Sequence, residues 1–208
     1  MYAGRRTRHG FDLPHLGIVS QHKLDFDASE DWYKKALVIW LKLGSEYDAA
    51  QTYHQLGNLA YFQQKYDYAE NWYKEALVIW LKYNDEHNEA YTTHQLGMVA
   101  KEQQDFVSAE DWTKHSIEIW LKCGDEYHAA ISLDQLGTIA KEQRDFDAAE
   151  DWFKKSLAIK LKLGDEQGVA LMTDQLGFLA YSQEDFHTAE EWFKQWNIVI
   201  RGVNLHGT

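Results

Sequence analysis

The tryptophans of this 208-residue chain recur at an interval of 40 residues. The first series is Trp32, Trp72, Trp112, Trp152 and Trp192, and the second is Trp40, Trp80 and Trp120. Lys160 takes the next place in the second series, and Trp196 lies outside both. A fixed period of this length indicates a repeat protein, because each unit buries its apolar face only by stacking on its neighbours.

Each repeat unit carries the apolar spacing of two amphipathic helices. In the second unit, apolar residues recur three and four positions apart over 46–63 and again over 66–83. The whole chain contains one proline, which favours long, uninterrupted helices. We therefore expect an all-α protein, a right-handed α-solenoid of about five helix-turn-helix units.

Residues at the ends and centres of the helices support this pattern. Each second helix is followed by a residue that readily adopts the left-handed conformation, and then by one that caps the next helix. These pairs are Gly44 with Ser45, Asn84 with Asp85, Gly124 with Asp125 and Gly164 with Asp165. Gly57 lies mid-helix, where glycine costs about 1 kcal/mol relative to alanine, so we predict close approach of the paired helix. The first tryptophan series is predicted to lie in the core.

The two ends of the chain depart from the repeat. Residues 1–12 match nothing in the repeat, so we expect a disordered lead or tag remnant, and Pro14 delays the first predicted helix to about Leu13. No polar cap helix is evident, which predicts either a piece of a longer protein or an end that stacks on something. The expected organisation is one array over 13–203, with units 13–43, 44–83, 84–123, 124–163 and 164–203, and a tail at 204–208.

The framework residues identify a family resemblance. The third unit shows Leu96, Gly97 and Ala100 in its first helix, and then Asp105, Phe106, Ala109 and Ser116. This order resembles the tetratricopeptide repeat (TPR) and extends over about 14–200. The long period and the absence of the usual proline are similar to the subclass found in kinesin light chains and in TPR arrays of STAND ATPases. Length alone also fits HEAT or armadillo repeats.

The resemblance implies that the first helices line a concave groove that binds a protein or peptide segment, as in a scaffold or adaptor. Outward positions of these helices vary between units while the framework repeats, and large apolar side chains are common interface anchors. Neutral drift on a solvated face is the alternative interpretation. The predicted groove residues are His54, Asn58, Tyr61, Phe62, Tyr91, His94, Met98, Lys101, Ile131, Asp134, Lys141, Leu171, Asp174, Phe178 and Tyr181.

The sequence is also compatible with two other functions. One is a self-associating structural array that forms homo-oligomers by stacking through its uncapped ends. The other is the sensor arm of a larger STAND-type signalling ATPase, which is implied by the family resemblance.

The sequence gives no support for an enzyme, a cofactor or a metal site. It contains no P-loop, no Gly-x-Ser-x-Gly motif and no dinucleotide fingerprint. His54, His94, Asp134 and Asp174 share one repeat position, but stacked helices lie about 8–10 Å apart while zinc ligands lie about 2 Å from the ion. These histidines are expected to be structural or surface residues, and the alternative interpretation is that His54 and His94 make binding sensitive to pH near neutrality.

The charge and the cysteine content limit the partners that we expect. A net charge of -12 disfavours nucleic acid and anionic membrane surfaces. The clamp by which some TPR proteins hold chaperone tails is incomplete, because Asn58 matches it but His54 replaces a lysine. With one cysteine and no apolar run near the ~18 residues that span a bilayer, we expect a cytoplasmic protein with a protein or peptide partner.

Overall fold

The chain folds as a series of antiparallel helical hairpins. The computed structural model describes the backbone of residues 3–205 and the side chains of residues 12–197. Over the described backbone it contains ten helices and no strand. The helices are α1 (Ala3–His22), α2 (Phe26–Leu43), α3 (Glu46–Phe62), α4 (Tyr66–Tyr83), α5 (Glu86–Glu102), α6 (Phe106–Lys122), α7 (Glu126–Glu142), α8 (Phe146–Leu163), α9 (Glu166–Ser182) and α10 (Phe186–Leu205).

The helices form two compact units, Met1–Asp105 and Phe106–Thr208. In the first unit each of α1 to α4 packs on the helix that follows it, and in the second unit each of α6 to α9 does the same. Short loops between consecutive helices make these neighbours antiparallel. The all-α repeat fold predicted from the sequence is confirmed.

Both terminal helices are longer than predicted. The prediction that no helix forms before Leu13 is wrong, since α1 begins at Ala3 and contains Pro14. A proline removes one backbone donor, and a helix can accommodate it by bending locally. Similarly, α10 continues to Leu205, because one glycine weakens a helix without breaking it. The expectations for residues 1–2 and 206–208 lie outside the described residues.

The predicted caps of the first helices are largely confirmed. Gly44, Gly124 and Gly164 have φ of 69°, 74° and 70°, and Asn84 has φ of 52°, so all four adopt the left-handed conformation. The side chains of the three capping aspartates accept from backbone N–H groups three residues ahead, at 2.9–3.1 Å. Ser45 differs because its hydroxyl donates to the Asp48 carboxylate instead.

A second left-handed residue in each hairpin was not predicted. It lies in the turn between the first and second helices, with φ between 59° and 64°, and no glycine occupies it. The residues are Leu24, Gln64, Gln104, Arg144 and Glu184. Asp25, Asp145 and Asp185 then cap the second helices through Oδ1, at 3.1 Å from backbone N–H groups. An aspartate cap thus follows the left-handed residue in these three turns, whereas Lys65 begins α4 without a side-chain cap.

A glycine-to-ring contact joins the two helices in four of the hairpins, as the mid-helix glycine predicted. The third unit has Thr113 at the position of the ring. A β-carbon placed on Gly57 would lie 2.6 Å from the Tyr73 ring, and one on Gly137 would lie 2.4 Å from the Phe153 ring. Both rings are buried, at no more than 1% exposure. Gly17 with Tyr33 and Gly177 with Phe193 repeat the contact.

The two tryptophan series differ in burial. Trp40, Trp80 and Trp120 are buried, with exposures of 3%, 1% and 1%. The first series is only half-buried, which corrects the prediction that it lies in the core. Trp152 packs against the core of the second unit, while the Lys155 ammonium lies 3.9 Å from its ring centroid. A ring at the edge of the core has one face that remains accessible to a cation.

We expect the substitution Gly137→Ala to destabilise the protein by about 2 kcal/mol, because the new methyl group overlaps the Phe153 ring and outweighs the gain in helix propensity. Denaturant unfolding measures the loss. The double variant with Phe153→Leu removes the ring, so its cost should be less than the sum of the two single costs. If the destabilisation by the double variant equals the sum of the two single values, residue 137 does not contact the Phe153 ring.

Candidate binding site on the first helices

The predicted groove residues lie in two sets, one on each unit. The first unit presents residues of α3 and α5, and the second unit presents residues of α7 and α9. Within each unit these helices are neighbours, since His54 lies 3.2 Å from Thr92 and Lys141 donates to Gln175 at 2.9 Å. We call the exposed side of these helices the first-helix face.

Five of the predicted residues present large side chains to solvent. Phe62 and Tyr91 are 65% and 38% exposed on the first unit. On the second unit, Leu171, Phe178 and Tyr181 are each more than half exposed. Apart from His54, which is buried, the other predicted residues are half-buried. They are Asn58, Tyr61, His94, Met98, Lys101, Ile131, Asp134, Lys141 and Asp174.

The exposed rings are held in place by neighbouring rings. Tyr61 contacts Phe62 edge-on with centroids 6.5 Å apart. Phe178 lies 5.3 Å from Phe193, on the second helix of its own hairpin. Such contacts reduce the rotational freedom of an aromatic side chain before a ligand arrives.

Polar residues of the face are mostly engaged within the chain. Tyr73 donates its hydroxyl to Asn58 Oδ1 at 2.7 Å, so the Asn58 NH₂ group is what a ligand can meet. Lys101 pairs with Glu102 at 2.8 Å, and Lys141 donates to Gln175. The ammonium groups of both lysines therefore already have a polar partner within the chain.

Asp134 is a buried ion-pair partner rather than a free groove residue. It forms a salt bridge with Lys160, whose side chain is only 5% exposed. Lys160 takes the place that tryptophan occupies in the first three units. Burial raises the pKa of Asp134, while the Lys160 ammonium acts to lower it. The second carboxylate oxygen, Oδ1, is buried without a hydrogen-bond partner. The absence of a side chain at Gly168 leaves space for the Lys160 side chain, because a β-carbon there would lie 2.7 Å from Lys160 Cδ.

Sequence reasoning missed this pair although its signal was present. A lysine at a tryptophan position of the core needs a carboxylate, because a buried charge without a partner is very unfavourable. Asp134, on the first helix of the same hairpin, supplies this carboxylate, whereas its repeat position alone predicts a groove residue.

We expect Lys160→Met to lower the free energy of unfolding by about 3 kcal/mol, because it leaves the Asp134 carboxylate buried without its counter-charge. Urea unfolding measures the loss. The double variant Asp134→Asn with Lys160→Met removes both charges and should recover most of it. A double variant as unstable as the single one would contradict a buried ion pair.

A cavity of about 380 Å³ opens beside the first-helix face of the first unit. Its lining comes from α1, α3 and α5, with Trp40 and Trp80 contributed by the second helices. No lysine or arginine is among the lining side chains. The lining residues are Pro14, His15, Ile18, Trp40, Asp48, Gln51, Thr52, His54, Gln55, Trp80 and Asn88.

His54 lies between two tyrosine rings beside this cavity. Its ring centroid is 5.2 Å from those of both Tyr73 and Tyr91, and Nδ1 lies 3.2 Å from Thr92 Oγ1. Burial lowers the pKa of His54 to about 4, so the imidazole is neutral at physiological pH. This corrects the expectation that His54 titrates near neutrality.

Stability is expected to fall by up to about 3 kcal/mol as the pH is lowered from about 6.5 to about 4, because the unfolded chain binds a proton at His54 that the folded chain excludes. His54→Phe should flatten this slope in urea unfolding across the range. Thr92→Val removes the hydroxyl partner but not the burial, so it should keep the slope. An unchanged slope in His54→Phe would contradict the assignment.

Among the described side chains, no three His, Cys, Asp or Glu residues come together as a metal site. Of the described helices, none is long and apolar enough to cross a membrane.

The hairpin repeats and the glycine-to-ring contacts define an α-solenoid built from helix-turn-helix units. A family model of the tetratricopeptide repeat matches residues 12–82 and 88–162. The chain belongs to the tetratricopeptide repeat family. A search of curated proteins finds no significant match.

Solved structures with this fold include several repeat proteins. BtubC (BKLC) from P. vanneervenii has a TM-score of 0.84 and 23% identity, covering 92% of this chain and 80% of the other. A Podosopora anserina putative kinesin light chain with nearly identical TPR-like repeats has a TM-score of 0.79 and 15% identity, with coverage of 98% and 99%. A Rap protein complexed with competence and sporulation factor has a TM-score of 0.74 and 16% identity, and the match covers 91% of this chain and 53% of the Rap chain.

Proposed function

We propose that this chain is a protein-interaction module that binds a peptide or protein segment on its first-helix faces. The observation that carries the proposal is the exposure of large apolar side chains at positions that vary between repeats. Tyr91 on the first unit and Phe178 on the second are examples. Exposed apolar surface commonly marks an interaction site, and aromatic side chains are frequent anchors in interfaces.

The geometry of the face suits an extended ligand. Within each unit two first helices lie side by side, and Phe62 and Phe178 on them are packed against other rings before a ligand binds. A rigid surface of this kind lowers the entropic cost of association on the protein side. The Rap structure, complexed with competence and sporulation factor, offers a precedent on the same fold.

The charge distribution restricts the partner further. The chain carries a net charge of -12, and the two lysines of the face are engaged by Glu102 and Gln175. We therefore infer a neutral or basic segment rather than an acidic one. For the same reason, nucleic acid is not among the partners that we propose.

Panning a random peptide library displayed on phage against the full chain tests this function. Peptides enriched on the wild-type chain should bind at least about tenfold more weakly to a variant with Tyr91→Ala and Phe178→Ala, because interface anchors typically contribute more than 1 kcal/mol each. Titration calorimetry with synthetic peptides measures the affinities, and thermal unfolding verifies that the variant folds.

A matched control removes exposed apolar side chains from second helices instead. Val78 and Leu81 are 66% and 52% exposed on α4, so Val78→Ser with Leu81→Ser is a comparable surface change. This variant should bind the enriched peptides as the wild type does. Peptides that lose affinity only in the control variant would overturn the first-helix face as the site.

A further inference from the structure

A second cavity of the first unit is formed by both second helices, α2 and α4, together with α3. It has a volume of about 310 Å³. None of the predicted groove residues is among its lining residues, so it is distinct from the first-helix face. We call this cavity the second-helix cleft.

Apolar side chains line much of the second-helix cleft. Three buried residues of α3 contribute to it, Leu56, Leu59 and Ala60. On α4, Tyr68 is 64% exposed and Trp72 is half-buried, and both line the cleft. The Trp72 ring stacks on that of Tyr53 with centroids 5.7 Å apart, so it is held in place before a ligand arrives. Accessible aromatic rings beside a cavity are frequent anchors for a partner.

One cation of the cleft lacks a counter-charge. Lys34 and Glu30 both line the cleft and form an ion pair, with Nζ 2.5 Å from Oε1. Lys65 also lines it and is exposed, and it has no ion-pair partner among the residues that the structure describes. The other four hairpins carry an aspartate at this position, Asp25, Asp105, Asp145 and Asp185. In a chain with a net charge of -12, the cleft is therefore locally cationic.

These features together restrict the ligand. A carboxylate supplies the counter-charge that Lys65 lacks, whereas an ammonium group would lie beside the lysines of the lining. A cavity of about 310 Å³ is at the small end of the range for ligand pockets, so it suits one large apolar side chain. Nucleic acid requires several free cations, and among the lining lysines only Lys65 is unpaired.

We propose that the second-helix cleft is a docking site for an acidic segment of a protein partner, in which a large apolar side chain lies next to an Asp or Glu. The apolar side chain packs against Tyr68 and Trp72, and the carboxylate pairs with Lys65. The site is separate from the first-helix face and takes a segment of the opposite charge, so it does not rest on the proposed function.

Three probes that share a ring and differ in charge test the chemistry of the cleft. They are 3-phenylpropionate, 3-phenylpropionamide and 3-phenylpropylamine, each titrated into the full ¹⁵N-labelled chain at matched ionic strength. The readout is the backbone amide signals of Lys65 and Tyr68. 3-Phenylpropionate should shift both signals saturably, with an affinity in the millimolar range, because few heavy atoms limit the binding energy. The amide should bind about threefold more weakly and the amine more weakly still, because an ion pair at an exposed site changes affinity by a small factor.

The variant Lys65→Asp tests the cation and should preserve the fold. Three of the aspartates at this repeat position cap their helices, so the variant should be at least as stable as the wild type in thermal unfolding. It should bind the amine more tightly than the carboxylate, which reverses the order. Lys42→Asp makes the same change in net charge at an exposed residue of α2 outside the lining, and it should keep the wild-type order. Equal affinities of the carboxylate and the amide for the wild-type chain, or no shift with either, would overturn the site.

Displayed peptides then test whether the ligand is a protein segment. The phage library is panned against the variant with Tyr91→Ala and Phe178→Ala, in which the first-helix faces are impaired. Enriched peptides should carry Asp or Glu beside a large apolar residue, and adding Lys65→Asp should weaken their binding about fivefold. If 3-phenylpropionate binds but no such peptide is enriched, a protein segment is the wrong partner.

The outcomes for the two sites are distinguishable. If peptides bind the wild-type chain through Tyr91 and Phe178 while 3-phenylpropionate causes no shift, the proposed function stands and the second-helix cleft is wrong as a site. If acidic peptides bind and depend on Lys65 while no enriched peptide depends on Tyr91 or Phe178, the cleft stands and the proposed function fails.

Discussion

In four of the hairpins, the contact between a first-helix glycine and a second-helix ring sets the distance between the two helices. With a β-carbon on Gly57 only 2.6 Å from the Tyr73 ring, no other residue fits unless the ring moves. The ring in turn reaches the first-helix face, where the Tyr73 hydroxyl donates to Asn58. Core packing and the position of a surface side chain are thus determined by the same contact.

Because this contact and the caps fix the hairpin, the outward positions of the first helices are free to differ. Where one repeat has a different residue type in the core, the residues that contact it differ as well. Lys160 replaces a buried tryptophan only together with the Asp134 carboxylate and with Gly168, which has no side chain to obstruct the lysine. The framework therefore tolerates a buried charge when the counter-charge and the space arrive together.

The fold could be predicted from the sequence because its determinants are local and are repeated in several units. Gly44 and Asn84 are residue types that favour the left-handed conformation, so these positions could be predicted. Gln64 and Arg144 adopt the same conformation although their residue types do not favour it, so these positions could not be predicted from the sequence. The site was predicted less well. Repeat position suggested a groove residue at His54, but its burial depends on neighbouring rings that spacing along one helix does not reveal.

Trp80 and Lys160 occupy the same repeat position and show two solutions for a buried donor. The Lys160 ammonium finds its acceptor inside the chain, on Asp134. The Trp80 indole N–H has no acceptor, and the imidazole nitrogen of His54 beside the same cavity also lacks a partner. A donor that is satisfied inside the chain costs the fold little, whereas one that is buried without an acceptor costs about 1–3 kcal/mol. The same repeat position therefore holds two side chains whose polar groups make very different contributions to stability.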